Sequence, residues 1–139
     1  MGEEKVGTII TINNLLQAYP QLQPNILEEL PPGLIVYRTG NLGWYNTEQT
    51  AKEIKALPEN PVIIDSSKND FMDSTLMGRI ALTGAEYMKV NRYFGMVQSQ
   101  RLKELFEMLF SKLTQDHAYE TIEQALEGAR VYYKQQQTT

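Results

Sequence analysis

Between residues 62 and 75 the chain reads VIIDSSKNDFMDST, which gathers Asp65, Asp70 and Asp73 with the hydroxyls of Ser66, Ser67, Ser74 and Thr75. Three chemistries suit such a set. Carboxylate oxygens ligate hard cations, although the spacing of Asp65, Asp70 and Asp73 follows no calcium-loop pattern. An oxygen just ahead of an apolar helical stripe accepts a hydrogen bond from an otherwise unpaired first-turn N–H, so Asp73 or Ser74 is the expected N-cap. A serine there is also a place for phosphate, which meets free N–H groups and the positive end of the helix dipole. Phosphorylation would add close to two negative charges beside Asp70 and Asp73, enough to abolish a docking surface without disturbing the fold.

The remaining composition narrows the chemistry. There are no cysteines, which excludes disulfides and thiolate metal sites. The single histidine, His117, sits in a polar stretch and reads as a surface residue. Neither a glycine-rich phosphate loop nor a nucleophile elbow is present. Tyr132 and Tyr133 read as packing or partner contacts. No cofactor and no metal are expected. A net charge of -4, with no basic run, argues against nucleic acid as a partner. The start of the chain lacks a signal-peptide pattern, and no apolar run approaches bilayer length. A soluble, cytoplasmic protein without membrane insertion is expected.

The elements that must position the Asp-Ser pairs follow from periodicity. Residues 8–12, TIITI, are β-branched and suit a short strand. Asn13 and Asn14 offer caps for LLQAY, which Pro20 interrupts. Pro24 opens a second short helix, and Pro31-Pro32-Gly33 ends it. Beyond that boundary strands and helices alternate. LIVYR (34–38) is a strand, followed by a turn-rich link to Trp44 and Tyr45. Asn46 and Gln49 have the spacing of a capping box for TEQTAKEIKAL, and Pro58 stops that helix. PVIIDSS is continuously apolar up to Asp65, as in a strand buried on both faces. After Ser74, apolar residues recur at three- and four-residue steps from Leu76 to Met88, the stripe of an amphipathic helix. RYFGMV (92–97) is a strand, Ser99 caps QRLKELFEMLF, and LTQDHAY holds a short edge strand. Thr121 and Gln124 form a second capping box, opening a helix through Tyr133, and residues 134–139 are expected to fray. Alternation of this kind implies βα units on a partly parallel sheet with right-handed crossovers.

Residues 33–130 resemble the STAS domain, the family of sulfate transporters and anti-sigma-factor antagonists. The resemblance lies in the order of parts and in FMDST, with TIEQAL as a supporting tail. It implies an α/β fold: a mixed sheet of four to five strands with helices packed on one side, occupying residues 33–133. Residues 1–32 would then be a short strand and helical extension. The resemblance also implies no catalysis and a bacterial signalling role. Unphosphorylated antagonist binds a serine kinase that is often also the anti-sigma factor. Phosphorylation releases it, and a serine phosphatase resets the switch. Carried over, the phosphorylated residue is Ser74, with Thr75 the second choice. The partner-binding residues are Asp73, Ser74, Thr75, Leu76 and Met77. Leu76 departs from the Gly that many antagonists carry there, whereas Gly78 matches. Two other readings stay open: a structural STAS subunit of a scaffold or transport-associated complex without phosphorylation, and a ligand- or metal-binding domain using Asp65, Asp70 and Asp73.

The N-terminal 32 residues include Ile9, Ile10, Ile12, Leu15, Leu16, Leu22, Ile26, Leu27 and Leu30, too much apolar surface for an open patch. They are expected to pack on the sheet's edge or open face, or against a second copy in a homodimer. A chain beginning at Gly33 should unfold cooperatively in denaturant yet show poorer solubility or a changed oligomeric state. Failure to fold at all would place the segment in the core.

Overall fold

The computed structural model describes residues 5–43, 45–110 and 117–137. Trp44 and residues 113–116, which lead into the last strand, lie outside the described residues. The architecture is α/β, with a five-stranded mixed sheet in the order β1-β2-β3-β4-β5. The strands are β1 (Thr8–Thr11), β2 (Ile35–Arg38), β3 (Val62–Ser66), β4 (Phe94–Gln98) and β5 (Ala118–Tyr119). β1 runs antiparallel to β2, and every other pairing is parallel. The helices are α1 (Leu15–Ala18), α2 (Thr47–Lys55), α3 (Ser74–Lys89), α4 (Gln100–Leu109) and α5 (Ile122–Gln137). α5 therefore carries on through the Lys134–Gln137 stretch that composition alone leaves as tail. Pro24–Leu27 forms only a single 3-10 turn.

Strand order decides which face each helix covers. β2 to β5 follow one another in a single direction across the sheet, and right-handed crossovers then put every connecting helix on the same face. α2, α3 and α4 accordingly share one cluster, with Ile54, Leu76, Met77, Ile80, Leu102 and Phe106 packed on Ile35, Tyr37, Val62, Ile64, Phe94 and Met96. The expectation of helices on one side holds for these three. α5 follows the edge strand and is free of the rule, so it crosses to the other face. There Ile122, Ala125, Leu126 and Ala129 meet Val36, Ile63, Tyr93 and Val97. All five residues of β3 are buried, as a strand covered on both faces requires.

The N-terminal residues complete that second face. β1 pairs along the sheet edge, while Ile10, Leu15, Tyr19, Leu22 and Leu30 are buried in the cluster with α5. The chain then turns at Gly33, whose φ of 78° favours a residue without Cβ. At the edge, one carboxylate ties three elements together. Glu53 on α2 accepts from Val6 N (2.7 Å), Gly7 N (2.9 Å), Tyr37 Oη (2.7 Å) and Gln49 Nε2 (3.1 Å). Tyr37 lies so close over Gly7 that a Cβ at residue 7 would collide with its ring. Burial alone would raise the Glu53 carboxyl's pKa, but the Gly7 and Val6 N–H groups, with Tyr37 and Gln49, hold it below the ordinary range.

A lowered folded-state pKa stabilises the fold above the unfolded carboxylate value of about 4.3 and loses that contribution as pH falls through the folded value. Glu53→Ala should cost about 1.5–3 kcal/mol near neutral pH, the range for hydrogen bonds to a charged group. Urea denaturation at pH 7 and pH 3 checks it: the variant should lose less stability between the two than the parent. An equal pH response would show that Glu53 is not the titrating group.

Candidate functional site

Asp73 is the N-cap of α3. Its φ and ψ of -60° and 140° are extended, and its Oδ1 accepts from Thr75 N at 2.7 Å. Ser74 is the first helical residue. It is exposed, as is Thr75, and among the described residues its hydroxyl makes no hydrogen bond. The sequence left the cap between Asp73 and Ser74. The carboxylate takes it, leaving the serine oxygen unengaged.

Two residues expected to contact a partner face inward instead. Leu76 and Met77 are each 1% exposed, in the cluster beneath α3. The three-to-four-residue stripe that forms the helix turns them onto the sheet, so no partner reaches them in the folded chain. The departure from Gly at position 76 thus lies in the core and not on the surface that carries Ser74. The neighbouring apolar surface is Phe71, 61% exposed in the loop before the cap.

That loop is held by one side chain whose role sequence reasoning missed. Asn69 Nδ2 donates to Thr39 Oγ1 (2.8 Å) and its Oδ1 accepts from Leu42 N (3.2 Å). Its carbonyl accepts from Ser99 Oγ (2.8 Å), and Ser99 Oγ in turn accepts from Leu102 N (3.2 Å) as the N-cap of α4. Three βα loops are therefore joined at the carboxyl ends of the strands. Asn46 takes part as well. Its Oδ1 accepts from Gly43 N (2.9 Å) and its Nδ2 donates to Asn41 O (2.7 Å). The expected Asn46/Gln49 capping box therefore does not form: Asn46 turns back into its loop, and Gln49 donates to Glu53. The Thr121/Gln124 box does form, with Gln124 N to Thr121 Oγ1 at 3.1 Å and Thr121 N to Gln124 Oε1 at 3.3 Å.

Asp65 belongs to a different place. Residues alternate across a strand, so Asp65 shares the face of Ile63, opposite to α3. It is 5% exposed; its Oδ2 accepts from Tyr19 Oη at 2.6 Å and its Oδ1 from Ser67 N at 3.0 Å. Burial, with Asp65 alongside, raises the Tyr19 phenol well above its ordinary value, so it remains a donor across the physiological range. Arg38 stacks on the Tyr19 ring at 4.6 Å and donates to Ala18 O at 3.1 Å. Asp65, Asp70 and Asp73 do not converge, and among the described residues no three His, Cys, Asp or Glu side chains are grouped to hold a metal ion. No described helix is long and apolar enough to cross a membrane. The chain matches no model of a known protein family and no curated protein.

The division of labour at the head of α3 is testable by stability alone. Asp73→Ala should cost about 1 kcal/mol, as loss of an N-cap does, and Asp73→Asn should restore most of it. Ser74→Ala should leave stability unchanged within about 0.5 kcal/mol, as for an exposed side chain with no partner. The reverse ranking in denaturant titrations would assign the cap to Ser74.

Proposed function

We propose that this chain is a non-catalytic regulatory protein of the anti-sigma-factor-antagonist kind, binding a serine kinase or anti-sigma factor under control of phosphorylation at Ser74. The observation that carries the reading is the pairing of an exposed, unbonded Ser74 hydroxyl with a cap supplied by Asp73. A kinase can take Ser74 without removing any bond the helix needs. The α/β sheet with α2, α3 and α4 on one face, and the FMDST stretch at the head of α3, agree with the STAS resemblance. The contact surface for the partner is then Asp73, Ser74 and Thr75 with Phe71 beside them. In its unmodified form this surface must shed water against the partner. A phosphate there is an unpaired charge whose burial is costly, and Asp70 and Asp73 increase the repulsion. The setting is the cytoplasm, and a serine phosphatase completes the cycle.

The test is intact-mass analysis after incubation with ATP and the partner kinase, followed by binding measurements. The parent should gain one phosphate, located on Ser74 by fragmentation. Ser74→Ala should stay unmodified and keep binding, whereas Ser74→Asp should weaken binding by tenfold or more, about 1.4 kcal/mol. Phosphate on Thr75 would move the site by one residue. Binding without any phosphorylation would favour a structural STAS subunit.

A further inference from the structure

We propose that the cavity over the ends of β2, β3 and β4 binds a small polar organic anion, a carboxylate or phosphate, whose far end donates hydrogen bonds. The cavity, about 460 Å³, lies on the face opposite to α3, so the site is independent of Ser74. Its volume is within the range of about 300–1,000 Å³ usual for small-molecule sites. Its place, outside the carboxyl ends of parallel strands, is where open α/β sheets bind ligands. The floor is one row of the sheet register, Arg38 beside Asp65 beside Val97. Ala18–Gln21 of the N-terminal segment form one wall, and the start of α5 the other.

Charge selects the ligand. Arg38 is half-buried, and among the described residues it forms no ion pair, being held by the Ala18 carbonyl and the Tyr19 ring. Asp65 lies beside it in the sheet register but, among the described residues, forms no ion pair with it, its oxygens accepting from Tyr19 and Ser67. Lys68 also lines the cavity, and it too lacks an ion pair among the described residues. The lining thus joins two cations, Arg38 and the exposed Lys68, to the carboxylates of Asp65, Glu120 and Glu123, which suits a ligand with a carboxylate or phosphate at one end for the arginine fork and hydrogen-bond donors at the other for an acid. Ahead of α5, Glu120 N and Thr121 N donate to Gln124 Oε1, and Gln124 N donates to Thr121 Oγ1, so these N–H groups do not compete for the anion. On the α5 wall, Glu123 is half-buried with no ion pair among the described residues, whereas Glu120 faces Lys103 at 3.8 Å. Glu123 is therefore the acceptor for hydroxyl or ammonium groups at the ligand's other end.

NMR titration of the full chain tests this with two probes, glycerol 3-phosphate and serine. Glycerol and inorganic phosphate serve as controls. At least one probe should give saturable shifts at the amides of Tyr19, Arg38, Ser67, Lys68 and Thr121, and which one responds assigns phosphate or carboxylate. Glycerol should give none, and inorganic phosphate should bind at least tenfold more weakly. Lys68→Ala should weaken the probe at least threefold and Arg38→Gln should abolish its effect. Because Arg38 also holds Tyr19, the decision rests on Lys68→Ala, which removes an exposed side chain with no bond to lose. Glu123→Gln should weaken the organic probe and leave inorganic phosphate unchanged. No saturable response from either probe, or a response indifferent to Lys68→Ala, overturns the site. Equal binding of inorganic phosphate overturns the role of Glu123.

Discussion

A carboxylate at the buried end of the central strand has to be paired, and the pairing of Asp65 organises much of this molecule. Left alone, a charge with 5% exposure would cost several kcal/mol. Its partners are a backbone N–H two residues away and a phenol from 46 residues upstream. The second partner reaches across the fold: Tyr19 is buried in the same cluster as Val36, Ile63 and α5. By satisfying Asp65 it fastens the N-terminal segment over the sheet, and Arg38 then stacks on the ring that Asp65 has positioned. Glu53 performs the same service at the sheet edge, where its four donors include the backbone of Val6 and Gly7. Two carboxylates, one on each face, thus hold a segment whose own helices are a turn or so long and could not persist alone.

This arrangement separates the two proposed sites, which the sequence places side by side. Asp65 and Ser74 are nine positions apart in the chain, yet strand alternation sends the first to the α5 face and the βα crossover carries the second to the other. The proposed docking surface and the proposed anion cavity consequently share no side chain. They do share a frame, the three loops joined through Asn69 at the carboxyl ends of the strands. A ligand on one face and a partner on the other would both bear on that frame.

What the sequence made legible was local. Continuous apolar character marked β3, three-to-four-residue steps marked α3 to α5, and oxygen-bearing residues ahead of those stripes marked the caps at Asp73, Ser99 and Thr121. Each depends on neighbours within four residues, so composition and spacing carry it. The failures were contests between alternative partners or faces that spacing alone does not rank. Asn46 had the spacing of a capping box but found better acceptor and donor partners in its own loop, and Gln49 found Glu53. Leu76 and Met77 sat beside the candidate serine, and the helical stripe that predicts α3 already implied that they face the sheet. That signal was present and outweighed by proximity in sequence. Tyr19, Arg38 and Lys68 carried no signal at all. Their significance arises from register and from a wall supplied by the first twenty residues, neither of which has a local signature.

The head of α3 shows why the proposed phosphorylation of Ser74 would be compatible with a stable fold. A helix end leaves several N–H groups without partners, and whichever residue satisfies them becomes difficult to modify. Had Ser74 been the cap, its oxygen would accept from an N–H two or three residues on, a phosphate there would compete with that bond, and modification would loosen the helix. Asp73 removes that conflict by taking the N–H with its own oxygen. The Ser74 hydroxyl is then free to change charge while Leu76, Met77 and Ile80 remain seated on the sheet. A phosphate at this position would act on what approaches α3 from solvent, not on what lies beneath it. That is the physical requirement for a switch that alters binding while the domain stays folded.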